Sequence, residues 1–86
     1  MNPLKRLFKE KNINVASFAR SINTSQYSVY TATKETSTVW RMGIDLFMKI
    51  AHGLGMTADE LYEELERISL EENIEIKVVE EEQKDD

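Results

Sequence analysis

The sequence predicts an all-α chain, a compact set of five short helices closed by a short C-terminal strand or an acidic tail. Three observations carry that expectation. Apolar residues recur at spacings of three and four along most of residues 1–68. Residues that start helices (Asn14, Ser25, Thr57) and residues that stop them (Asn23, Gly55) stand at the ends of those runs. Strict alternation of apolar and charged residues occurs once, at residues 73–79. This divides the chain into a helical domain over residues 1–68 and a C-terminal segment over 69–86.

Leu4, Leu7 and Phe8 fall at helical spacing, so residues 3–11 read as the first helix. Pro3 suits its first turn, where a missing N–H removes nothing the helix needs. Asn12 and Asn14 bracket a short connection around Ile13, and Asn14 caps the second helix with its side-chain oxygen. Val15, Phe18, Ala19 and Ile22 form one apolar face of that helix. Ala19 is small where two helices have to cross closely. Asn23 tolerates the left-handed backbone of a tight turn. Ser25 caps a third helix that runs to about Thr33, with Val29 and Ala32 inward. The third helix therefore buries little, and Gln26, Tyr27, Tyr30 and Thr31 are left outside. This spacing is that of a helix-turn-helix.

Residues 34–42 read as a loop into the fourth helix, with Trp40 either plugging the core over that helix or anchoring an interface. Ile44, Phe47, Ile50, Ala51 and Leu54 mark the fourth helix, and Gly55 stops it. Thr57 and Glu60 form a capping box at the head of the fifth, where Asp59 and Glu60 also suit the helix dipole. Leu61, Leu65 and Ile68 continue its apolar face, and Glu63 is placed to pair with Arg67 outside. Residues 69–73 break the pattern. In the strand that follows, Ile74, Ile76 and Val78 share one side, and Glu75 and Lys77 the other. With no ladder partner foreseen in the chain, this strand is expected either to pair with its copy in a second subunit or to stay disordered. Residues 80–86 read as a solvated acidic tail.

Eighty-six residues suffice for one small domain, and a chain of this size is helped by oligomerisation. There is no cysteine, which excludes disulfides and fits a reducing cytoplasm. The N-terminus turns polar too soon for a signal peptide, and no apolar run approaches the ~20 residues of a membrane span. The net charge of −5 hides an asymmetry. Residues 1–57 carry eight basic against three acidic side chains, or +5, and residues 58–86 carry three against 13, or −10. A phosphate responds to the local field, so the basic front remains suited to nucleic acid, while the acidic end weakens non-specific binding. No nucleophile–base pair, phosphate-cradling glycine loop or two-histidine motif occurs, so neither enzyme activity nor a cofactor or metal is expected. His52 is the only histidine and reads as a surface or helix-end residue, and Met42, Met48 and Met56 as filler on apolar faces.

Two stretches resemble one family. Phe18-Ala19, Ile22-Asn23, Ser25 and Val29 match the turn motif of the Cro/CI-type, or XRE, helix-turn-helix repressors. The run from Lys49 through His52, Gly53, Gly55 and Thr57 to Leu61 is similar to that family's fourth helix, glycine stop and capped fifth helix. The chain also resembles small helix-turn-helix proteins of phages and mobile elements, some linked to anti-CRISPR operons. It departs from the pattern at Asn23, where glycine is usual, at Thr24, where an apolar residue is usual, and at Val15, where a phosphate-touching glutamine is common.

The resemblance implies a five-helix lambda-repressor-like fold and a transcriptional repressor that binds an inverted repeat in double-stranded DNA as a homodimer. On that reading Gln26, Tyr27, Tyr30 and Thr31 face base edges, with Gln26 suited to adenine N6 and N7. Ser25, Ser28, Lys34, Arg41 and Arg20 would hold phosphates. Leu65, Ile68, Leu70, Ile74, Ile76 and Val78 are assigned to the dimer interface, because no other use for these apolar residues is foreseen. The alternative is a protein-binding module, such as an anti-CRISPR-like inhibitor or an antitoxin, that engages a protein partner through the acidic tail.

Overall fold

The computed structural model describes residues 1–36 and 38–80. The elements run α1 (Pro3–Glu10), α2 (Val15–Ser21), α3 (Gln26–Ala32), β1 (Val39–Gly43), α4 (Ile44–Gly53), α5 (Ala58–Glu72) and β2 (Glu75–Val79). The fold is therefore mostly helical but not all-α. Val39–Gly43, expected as loop, is a strand, and β2 is not alone: it pairs with β1 in parallel, with Val39 opposite Glu75 and Gly43 opposite Val79. The physical reason lies in the alternation Val39-Trp40-Arg41-Met42. It turns Trp40 and Met42 to one face, where both are buried, and Val39 and Arg41 to the other. A ladder then satisfies the backbones of both strands. α4 and α5 form the crossover that a parallel pair requires.

Local chemistry sets the helix ends. Asn2 caps α1, Asn14 caps α2, Ser25 caps α3, and the Thr57–Glu60 capping box opens α5. α1, α2 and α4 stop in the same way, at a left-handed residue: Asn12 (φ 58), Asn23 (φ 56) and Gly55 (φ 75). At Asn23, its N–H donates to Arg20 O (3.1 Å) and the Thr24 N–H to Ala19 O (3.0 Å), the paired bonds of a Schellman stop. Asparagine thus fills the turn position where glycine is usual. α5 does not break at 69. It continues to Glu72 and ends at Asn73 (φ 60), so the expected boundary after residue 68 falls inside a helix. The missed turn buries Ser69, whose hydroxyl donates back to Glu66 O (2.9 Å).

The core gathers Leu4, Leu7 and Phe8 of α1, Phe18 and Ala19 of α2, Val29 of α3, Trp40 and Met42 of β1, and Phe47, Ile50 and Ala51 of α4 with the apolar face of α5 and β2. Phe8 and Phe18 meet edge to face at 5.0 Å between ring centres. Gly53 is needed for close approach: a Cβ there would overlap Ile22 and the Phe18 ring, so the last turn of α4 lies directly on α2.

The interface set is largely used inside the chain. Leu65 and Ile68 are fully buried, Ile74 and Ile76 nearly so, and Val78 packs against the same core. This removes the premise on which they were assigned to a dimer contact. Leu70 alone stands out, at 79% exposure. Arg67 bonds Glu10 of α1 (3.1 Å) and Glu64 (2.9 Å) rather than Glu63. Among the described residues no helix is long and apolar enough to cross a membrane. Of the acidic tail, Glu80 is exposed and residues 81–86 lie outside the described residues.

Candidate nucleic-acid interface

α3 has one fully buried side chain, Val29. A single valine holds a two-turn helix weakly, at about 1.5–3 kcal/mol of burial. Two side chains from elsewhere add the rest, and both end on one atom. The Ala32 carbonyl, at the helix's last residue, accepts from Asn2 Nδ2 (2.9 Å) and from Trp40 Nε1 (2.9 Å). Asn2 also donates to Lys34 O (2.6 Å), which accepts from Thr36 Oγ1 as well (3.1 Å), while its Oδ1 accepts the Leu4 and Lys5 N–H groups that begin α1. It is buried and fully satisfied. One asparagine therefore caps α1 and pins the segment leaving α3. Trp40 does act as a core residue, and its indole N–H, not only its ring, is what α3 uses.

Held from beneath and at its end, with Ala32 half-buried against the same core, α3 turns four residues outward. Tyr27 is 77% exposed and Tyr30 61%. Gln26 and Thr31 are exposed as well. Ser25 Oγ accepts the Ser28 N–H (3.0 Å) and hydrogen-bonds Ser28 Oγ (2.8 Å), so the two hydroxyls lie together at the start of α3. Tyr30 and Lys34 line one recess together with Lys5, Val15, Thr33 and Glu35. Lys5 was missed from the sequence. It sits on the polar side of α1, and its nearness to α3 follows from the Asn2 clamp, which spans 30 residues or more.

Arg20 is exposed in the last turn of α2. Arg41 is not brought to α3: it leaves β1 on the face opposite Trp40 and lies beside Lys77 in the ladder. His52, Met48 and Lys49 line a separate shallow groove between α4 and the end of α2, with Ile22 and Gly53 beneath them.

Charge is divided between elements. Arg6 of α1 bonds Glu10 (3.1 Å), Glu72 (3.0 Å) and Glu71, and Arg67 bonds Glu10 and Glu64. The Met1 ammonium reaches Glu72 at 2.9 Å. The Arg67 guanidinium, with Arg6, holds the Glu10 carboxyl below its ordinary range; the Met1 ammonium, with Arg6, does the same for Glu72. Arg6 and Arg67 are raised in turn by their carboxylate partners. Among the described residues, by contrast, Lys5, Lys9, Lys11, Arg20, Lys34, Arg41 and Lys49 make no ion pair. α3 itself carries no charge. It is a neutral, aromatic and amide-bearing surface with cations around its ends. Comparison with family models, with curated proteins and with solved structures finds no significant match to this chain.

Proposed function

We propose that the chain is a sequence-specific DNA-binding regulator, a repressor of the Cro/CI type acting in the cytoplasm on an inverted repeat as a homodimer. The observation that carries this reading is the outward face of α3: Gln26, Tyr27, Tyr30 and Thr31 exposed on a short helix that follows a tight turn at Asn23. A helix of this width fits a major groove, and an amide at its first residue can pair with adenine N6 and N7. Lys34 and Lys5, beside Tyr30, and Arg20, before the turn, supply free cations for phosphates. Of the α5 carboxylates, Glu64, Glu71 and Glu72 are tied to Arg6, Arg67 and the N-terminal ammonium, which removes part of the opposition that the net charge suggests.

One observation favours a second reading. α3 offers two exposed tyrosines and no charge, and such a surface also suits a protein partner. Fluorescence anisotropy against duplexes selected from a random library, repeated across salt concentrations, separates the two. A repressor loses affinity steeply as salt rises. Lys34→Ala should reduce the salt slope by about one for each half-site, and Gln26→Ala should cost about 1–3 kcal/mol at one base position. Absence of any salt-dependent duplex binding would leave the protein-partner reading.

A further inference from the structure

We infer that the C-terminal strand β2 sets the orientation of α3, acting through β1 and Trp40, and that Trp40 is thereby a positioning residue for the helix proposed to read bases. What α3 does at DNA rests on the reading above; how it is held does not. From α3, Val29 and half-buried Ala32 pack into the core. Two contacts less than one turn apart fix how close a helix lies better than they fix its tilt. The remaining restraint is polar and sits at one end. The last carbonyls of a helix lack partners within it, and here the last three are taken. Tyr30 O accepts from the Thr33 N–H (3.1 Å) and Thr33 Oγ1 (2.9 Å), and Thr31 O from the Lys34 N–H (3.2 Å). Those bonds tie α3 only to its own exit. Ala32 O, which accepts from Asn2 Nδ2 and Trp40 Nε1 at 2.9 Å each, ties it to other elements.

Trp40 does not hold its own place. Among the described residues, the ladder partner of its strand is β2. Trp40 stands opposite Ile76 in the register, and both side chains are buried on the inner face. The Glu75 N–H donates to Thr38 O (2.8 Å) at the start of the same ladder. An N–H···O bond tolerates only a few tenths of an ångström about its best length. The ladder that fixes the Trp40 backbone therefore also fixes where the Ala32 carbonyl can lie. Asn2 reaches that carbonyl from α1, so two donors on separate elements bracket one atom. With the Asn2 bond alone, the end of α3 can swing about it. Gln26 stands at the far end of the helix, roughly 9 Å along the axis from Ala32. A tilt of roughly 10° about Ala32 moves it by roughly 1.5 Å, enough to lose a paired amide–adenine contact. The base-reading end of α3 is thus the part most sensitive to the ladder.

The test replaces Trp40 in the full chain by benzothienylalanine, a ring of the same shape with sulfur where the indole N–H stood. In the DNA-free protein the amide shifts of residues 26–32 should move, and 5-fluorotryptophan at the same position, which keeps ring and donor, should leave them in place. Glu75→Pro deletes the N–H given to Thr38 and should move the same amides, whereas Glu75→Ala removes only an exposed side chain and should not. If circular dichroism shows that Glu75→Pro fails to fold, Ile76→Val, one methylene smaller opposite Trp40, should give a smaller shift at those amides. With DNA, the preference for the selected duplex over one altered at the base pair read by Gln26 should fall about tenfold in both the Trp40 and the β2 variants. The salt slope should hold, because no cation is removed. Unmoved amides at 26–32 in the Trp40 isostere, shifts in the isostere that no β2 variant reproduces, or an equal loss of affinity for both duplexes would each overturn the proposal. An unaltered protein that binds no duplex defeats the DNA reading instead, and the DNA-free shifts then decide alone whether β2 orients α3.

Discussion

The α1–α5 pair and the α2–α3 pair solve opposite problems with the same chain. α5 buries Leu61, Leu65 and Ile68 completely, and it meets α1 through Leu4 and Leu7 beneath a lattice of ion pairs from Arg6 and Arg67. α3 buries Val29, half-buries Ala32, borrows two hydrogen bonds at its last carbonyl, and exposes Gln26, Tyr27, Tyr30 and Thr31. In the first pair, arginines and carboxylates neutralise one another. In the second, Arg20 and Lys34 are unpaired among the described residues. The contrast shows why a net charge of −5 is a poor guide to this protein's partners. Glu10, Glu64, Glu71 and Glu72 are bonded within the α1–α5 scaffold, and the cations beside α3 are left to act at its surface.

The contrast is broken most severely from the scaffold side. Leu65→Ala should cost about 2–5 kcal/mol and lower the midpoint of global unfolding in urea, since its site is closed on all sides. Asn2→Ala should cost about 1–3 kcal/mol, because it removes a helix cap and takes one donor from each of the Ala32 and Lys34 carbonyls. Hydrogen exchange should show the difference in kind: in this variant the α3 amides exchange faster before those of α5 do. Uniform acceleration across both helices would mean that α3 has no separate tether.

Acid should act on the scaffold pair selectively. The Glu10 and Glu72 carboxyls are held below the ordinary value near 4.5, so they give up protons more readily folded than unfolded. Their stabilisation is complete above about that value and is lost as pH falls through the lowered ones. Thermal midpoints should therefore drop between pH 5 and about pH 3, and 1 M salt should shrink the drop because the pairs are solvent-accessible. Glu10→Gln should flatten the profile. A pH-independent midpoint would place the stabilising contribution of α1–α5 in its apolar contacts alone.

The smallest stability effects belong to the exposed face of α3. Gln26→Ala, Tyr27→Ala and Thr31→Ala should each change unfolding free energy by less than about 0.5 kcal/mol, since none has a buried contact to lose. A loss comparable with that of Asn2→Ala would show that this face is structural rather than displayed.

The same contrast explains what the sequence could and could not reveal. Caps and stops were legible because each is settled within four residues: Asn14 bonds Ser17, Ser25 bonds Ser28, and Thr57 and Glu60 bond each other. The strand at Val39–Gly43 was not, because its partner lies beyond two helices and five residues of alternation are a weak local signal. The clamp on Ala32 was equally hidden, since Asn2 reads as nothing more than a residue before Pro3 until the fold brings it against the exit of α3. Assigning Ile74 and Ile76 to a dimer contact followed from treating β2 as solitary. Once β1 is its neighbour, those side chains belong to the core and only the backbone edge is left over. Of the surface residues singled out for DNA, Gln26, Tyr27, Tyr30 and Thr31 do face outward, while Arg41 lies on the outer face of the sheet, away from the Trp40–α3 contact.

The most direct test of the account is amide chemical-shift mapping of the labelled protein titrated with its selected duplex. The account predicts the largest shifts at residues 25–31, with Lys34, Lys5 and Arg20 next and α5 nearly silent. Shifts centred on the α4 groove or on α5, with Gln26 and Tyr30 unmoved, would contradict it.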